Sequence, residues 1–184
     1  DKTSTWIIEN SFFPLGEEIK GSIPEAAEIT RMEKLTPGGY TISVNNKIFK
    51  ADKAIRVDDN WFKVFHYSFI DGDTALFYSN PQAIIITRSK AEKIFGETAV
   101  TGRQIQLNDK LFTVAGIIND NPVNSSFQFD IITRFNDMDA INQDWLYMSY
   151  KTFIKLQPGA DKTATENKID KLIKSKSQAQ GTIT

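Results

Sequence analysis

Residues 83–129, AIIITRSKAEKIFGETAVTGRQIQLNDKLFTVAGIINDNPVNSSFQF, read as a buried strand, a short helix, a glycine stop, a hairpin and a polar exit loop. Ile84, Ile85 and Ile86 form a continuous β-branched run, which suits a strand covered on both faces. Thr87 is placed to cap the following segment by accepting from an N–H two or three residues on. Ala91, Ile94 and Phe95 then share one helical face at i, i+3, i+4, and Gly96 follows where a left-handed residue ends a helix. Gln104 to Leu107 alternates polar and apolar, as a half-buried strand does. Asn108-Asp109 turns the chain, and Leu111 to Ile118 returns as the partner strand. Asn119 to Ser126 is rich in turn residues, and Pro122 cannot donate to a ladder.

The order of these residues resembles the extracytoplasmic core domain of MacB-like and FtsX-like permeases of ABC transporters. The resemblance rests on IIIT (84–87), AEKIFG (91–96), GRQIQLND (102–109), FTVAGII (112–118) and NSSFQF (124–129) in sequence. Upstream, IPEAAEITRM (23–32) is similar to the stretch that leads into that family's first long strand. VDDNWFKVFHYSFIDGD (57–73) is similar to its Asp-x-x-Phe-Phe-x-x-Phe segment, with Trp61 in the first aromatic place. FIKLQPGAD (153–161) resembles its last strand and turn. The resemblance implies an α+β fold of two lobes. A strand–helix–strand lobe, porter-like and ferredoxin-like, is built from about 1–36 plus 127–184, and a mostly β lobe of about 37–126 is inserted into it.

Composition bounds the function. The 184 residues are enough for one domain or two small lobes. Lys plus Arg is 22 and Asp plus Glu is 23, a net charge of −1, so nothing calls for nucleic acid or an anionic membrane surface. The absence of cysteine removes disulfides, thiolate metal sites and a cysteine nucleophile. No apolar run approaches the roughly 18–20 residues that span a bilayer, and Asp1-Lys2-Thr3 is not followed by the apolar region of a signal peptide. By the resemblance, the two transmembrane anchors of the family lie outside these 184 residues.

Along the rest of the chain, Trp6-Ile7-Ile8 is β-prone, and a helix is expected from about Leu15 to Lys20. Ala27 to Leu35 reads as a long strand. Tyr40, Ile42 and Val44 alternate, Asn45-Asn46 turns, and Ile48 to Val57 reads as one returning strand. Asp59 is placed to cap a helix over Asn60–His66, and Asp71-Gly72-Asp73 reads as a loop. Phe129 to Phe135 reads as a strand, Asn136 to Asp144 as a loop, and Trp145 to Leu156 as one or two strands. Asp161 opens a helix to about Lys174, with Thr165, Ile169, Leu172 and Ile173 on one face and Lys168, Lys171 and Lys174 on the others. The tail from Ser175 to Thr184 is polar and small.

Chemistry-bearing patterns are few. His66 is the only histidine, and one His with no Cys builds no zinc site of the usual kind. There is no G-x-S-x-G elbow. Gly96 to Gly102 lacks the spacing and the Lys-Ser/Thr of a phosphate loop. Asp71-Gly72-Asp73 lacks the acidic ladder of a calcium loop. The pairs Asp58/Asp59, Asp71/Asp73 and Asp137/Asp139 all fall in apparent turns, where carboxylates serve as caps. No catalytic residue, cofactor or metal is therefore expected. Trp61, Phe62 and Phe65 are the one candidate surface. With Val64 they make a broad apolar helix face, which is the usual pattern of a helix packed on a core; the other reading is a ligand- or partner-stacking platform.

The function implied by the resemblance is a non-enzymatic relay. A cytoplasmic ABC ATPase would drive the transmembrane helices, which move this extracytoplasmic domain against a second permease copy, a periplasmic adaptor or a lipoprotein. Such a relay needs a stiff body whose two chain ends lie together on one lobe. The resemblance points most closely to compact permease domains of Bacteroidetes-type bacteria. The alternatives are a periplasmic module binding lipid, peptide or lipoprotein through the aromatic segment and, more weakly, a secreted hydrolase, which needs convergent acids in a cleft.

Overall fold

The computed structural model describes residues 5–35, 40–51, 53–135, 145 and 148–179. In chain order the described elements are β1 (Thr5–Ser11), α1 (Leu15–Ser22), β2 (Ala26–Lys34), β3 (Thr41–Val44), β4 (Lys47–Lys50), β5 (Ala54–Val57), α2 (Trp61–Val64), β6 (Phe69–Gly72), α3 (Thr74–Ser79), β7 (Ala83–Thr87), α4 (Arg88–Phe95), β8 (Gln104–Leu107), β9 (Lys110–Ile118), β10 (Ile131–Arg134), β11 (Tyr150–Leu156) and α5 (Lys162–Ala179). The fold is α+β. All eleven strands belong to one mixed sheet, in the order β1-β11-β2-β5-β10-β7-β9-β8-β3-β4, with β6 also on β9. Only β5/β10 and β7/β9 are parallel; the other pairs run antiparallel.

The isoleucine run sits where its composition requires. Every residue of β7 is buried, because β10 and β9 pair with its two edges and side chains cover both faces. Nine-residue β9 carries two partners along its other edge: β8 beside Lys110–Thr113 and β6 beside Gly116–Ile118. The chain returns from β7 through α4, which buries Ala91 and Ile94 and ends at Gly96 in the left-handed region, φ 79°, with its N–H bonded to Glu92 O.

Four local expectations differ from what is found. The segment 48–57 is not one strand. β4 pairs with β3 through a two-residue Asn45-Asn46 turn, both with positive φ, and the chain then leaves that hairpin for β5. Buried Ala54, Ile55 and Val57 belong at the sheet centre between β2 and β10, not at its edge. Thr87 occupies the N-cap position of α4 without a side-chain cap, and its buried Oγ1 has no partner. The cap comes from Asp120, which accepts from Ser89 N–H at 3.1 Å and Ser89 Oγ–H at 2.7 Å. It arrives there because β9 ends beside Thr87. Asp59 does not cap α2, a single turn; Asp58 accepts from Asn60 N–H instead. Asp71-Gly72 is the end of a strand, and Asp73 caps α3, a helix that carries no clear periodic signal.

The core has three parts. One is built from β3, β7, β8, β9 and α4 around Ile42, Ile84, Ile86, Ile105 and Val114. A second, aromatic part joins Met32, Ile55, Trp61, Phe77, Ile85 and Phe153. The third packs α1 and α5 on β2 and β11 through Leu15, Ile19, Ile154 and Ile169. The apolar face expected on α5 is the buried one, with Thr165 and Ile169 enclosed and Leu172 and Ile173 against them. The helix runs on to Ala179, past the expected Lys174. Lys168 and Lys176 are not spare cations: they pair with Glu25 and Glu18 and tie α5 to α1 and its exit. The first and last described elements, β1 and α5, both belong to this end of the sheet; the expectations for the 136–144 loop and for the chain ends fall on residues outside those described.

Candidate functional site

The aromatic segment is placed by backbone geometry before its rings pack. Asp58 closes a short turn by accepting from Asn60 N–H at 3.1 Å, and the next residues make the one turn of α2. That turn drives Trp61 into the core, where its relative exposure is 0%. Its ring lies 4.3 Å from Phe65 and 5.8 Å from Phe153, centroid to centroid. Phe65 is half-buried and stands edge-on to Phe153 at 5.0 Å and Phe127 at 6.3 Å. Phe62, also half-buried, points along the other side. It meets Phe77, Tyr67, Phe69 and Tyr78 at 5.6 to 6.1 Å, mostly edge-to-face. Burial pushes the Tyr67 hydroxyl strongly upward, so it stays neutral. The structure therefore brings Trp61, Phe62 and Phe65 together in one ring cluster, with Trp61 enclosed and Phe62 and Phe65 half-buried.

The clefts lie elsewhere. The largest described, about 750 Å³, runs along strand ends between Leu35, Tyr40, Arg56, Leu111, Phe112 and Arg134. Its size suits a small ligand, but Asp109 is the only acid among its described lining residues, so no pair of carboxylates converges there. His66 is exposed. Among the described residues no group of three or more His, Asp or Glu is placed to hold a metal.

The two described acidic pairs make architectural contacts. Asp59 accepts from Arg134 at 2.9 and 3.2 Å. Asp71 accepts from Thr101 N–H at 2.9 Å and from its neighbour Gly72 N–H at 3.0 Å. Asp137 and Asp139 lie outside the described residues. These long-range partners, 75 and 30 residues away, leave no mark in local spacing, so sequence reading could not find them. The Thr101 N–H holds the Asp71 carboxyl below its ordinary range. A carboxylate depressed on folding adds stability above its unfolded value, near 4, and loses it as pH falls through the folded value. Asp71→Asn is thus expected to cost about 0.5–1 kcal/mol at pH 7, discounted for solvent exposure. It should also flatten the acid limb of stability; urea titrations at pH 7 and pH 3 measure both.

What the chain does carry is a fold shared with transporters. The sequence profile of the MacB-like periplasmic core domain matches residues 5–172. The chain belongs to that family. Solved structures agree on the fold. A domain assigned to a permease protein from Porphyromonas gingivalis superposes with TM-score 0.75 at 20% identity, over 92% of this chain and 72% of that one. The periplasmic region of MacB from Actinobacillus actinomycetemcomitans gives 0.69 at 16%, over 91% and 75%. The extracellular domain of the ABC-type transporter YknZ from Gram-positive bacteria gives 0.68 at 16%, over 98% and 95%. No curated protein sequence matches significantly. The MacB-like core domain is thus the setting for every residue described above, and no described helix is long and apolar enough to cross a membrane.

Proposed function

We propose that this MacB-like domain is a non-enzymatic relay in an ABC transporter permease. Transmembrane helices outside these residues anchor it to the inner membrane, and it passes movement from a cytoplasmic ATPase to a second permease copy, a periplasmic adaptor or a lipoprotein. The observation that carries the reading is the single hydrogen-bonded sheet, unbroken from β1 to β4. A push at one end travels along a ladder of backbone bonds and closely packed side chains, which deform little. Two lobes fit the same reading. The α1–α5 core draws only on residues 12–29 and 145–173, the β3–β8–β9 core almost wholly on residues 37–126, and the aromatic core joins them.

The test is made in the full-length permease with its ATPase. Replacing residues 5–179 by a flexible Gly/Ser segment is expected to abolish transport, by at least about tenfold, while ATP hydrolysis remains measurable. Transport that survives the replacement overturns the relay. A binding module is the second reading, favoured by the partial exposure of Phe62 and Phe65. Under it, Phe62→Ala with Phe65→Ala lowers ligand or partner capture without an equal loss of stability.

A further inference from the structure

Arg31, in the middle of β2, reaches three segments at once. Its Nε donates to Asp58 Oδ2 at 3.1 Å, and its Nη1 donates to Phe13 O at 2.9 Å. Its Nη2 lies 3.5 Å from Glu17 on α1. The guanidinium stacks 4.4 Å over the Phe13 ring. Gly16 gives it room, since a Cβ there would come within 3.3 Å of Arg31 Cδ and Nε. Asp58, where β5 passes into α2, also accepts from Thr30 Oγ1–H, Arg31 N–H and Asn60 N–H. Both charged side chains are nearly enclosed, at 12% and 14% exposure.

The apolar contacts of the two helices point different ways. The buried side chains of α1 enter the core shared with α5, and Trp61 of α2 enters the aromatic core. Between them lies a cleft of about 240 Å³ lined by Gly16, Glu17, Lys20, Asn60 and Lys63, with Arg31 and Asp58 on its wall. Both helices rest on β2, and the Arg31 guanidinium makes a direct polar link across that gap.

We propose that the Arg31–Asp58 pair is a clamp between the lobes: it holds the α1 side of β2 against the β5–α2 junction, so that the two lobes move as one body. A planar fork suits this task because it binds a carboxylate and a carbonyl in fixed directions, which an ammonium does not. Burial raises the Asp58 carboxyl against the pull of Thr30 and Arg31, and the low exposure of both side chains makes this an enclosed pair and not a surface one. The inference deepens the relay reading, which gives the clamp its purpose.

The test is amide hydrogen exchange on the 184-residue chain. Arg31→Met and Asp58→Asn are each expected to speed exchange in α1 by about tenfold or more, with β7 amides unchanged. Arg31→Lys keeps the charge and loses the fork; it is expected to do the same to a lesser degree, and it is read by the same criterion if Arg31→Met does not fold. Unchanged α1 exchange overturns the clamp, as does equal acceleration in α1 and β7, which reports only lost global stability. These outcomes are independent of transport, so the clamp and the relay fail separately.

Discussion

Gly72→Ala is expected to destabilise the domain by about 3–5 kcal/mol, among the largest effects of any single methyl added to this chain. Two costs combine. Gly72 has φ +68°, where a side chain is strained by about 1–2 kcal/mol. An added Cβ would also stand 2.1 Å from Ala115 O and 2.8 Å from Gly116 Cα, both backbone atoms of β9 that no rotamer change can move. Gly72 faces Gly116 in the β6–β9 register, beside Ala115, the residue skipped where β9 shifts against β7. The methyl therefore presses on the strand that holds β6, β7 and β8 together. Urea unfolding followed by circular dichroism measures the loss, and a cost below about 1 kcal/mol would mean that β6 is not seated there. Gly116→Ala is the milder comparison, because its nearest obstacle is the movable Phe69 ring at 2.6 Å.

Trp61→Ala is expected to cost about 3–5 kcal/mol, the range for emptying a fully buried large aromatic site. Phe62→Ala and Phe65→Ala should cost less, about 1–3 kcal/mol each, because each is only half-buried. The same unfolding titrations rank the three. That order follows from Trp61 lying against both Phe65 and Phe153, which makes it the joint between α2 and β11. A Trp61→Ala protein with unchanged stability would place the indole outside the core and return the aromatic segment to the role of an open platform.

The sequence was most legible where one physical requirement acts over a few neighbouring residues. Ile84–Ile86 suits a strand covered on both faces, and Gly96 falls where a left-handed residue ends a helix. The turn at Asn45-Asn46 was equally plain, since two positive φ values need residues of that kind. Legibility failed where distant chain decides. Nothing in Ile48–Val57 says that its first half closes a hairpin while its second half joins β2 and β10. Thr87 has the right chemistry for a cap, yet Asp120 reaches Ser89 first because two parallel strands end together. Gly72 reads as loop in isolation, and only the opposing Gly116 makes it a close strand crossing. The Arg31–Asp58 and Arg134–Asp59 pairs are invisible to spacing for the same reason. The candidate site was legible as an apolar face, but which ring would be enclosed depended on Phe153, 92 residues beyond Trp61. The order of motifs along the chain carried the family further than any single motif did.

The relay requires that the domain move as one stiff body. These 184 residues hold no cysteine; with any cysteines elsewhere in the permease and its ATPase replaced, Lys47→Cys on β4 and Lys171→Cys on α5, both exposed, place labels at the two ends of the sheet. Pulsed electron–electron distance measurements on the full-length permease with its ATPase, without nucleotide and trapped with ATP and vanadate, decide the matter. A relay gives an unchanged distance between the two labels within one domain and a shifted distance between Lys47→Cys labels on the two permease copies. A distance within the domain that changes with nucleotide, or one between copies that does not, would contradict it.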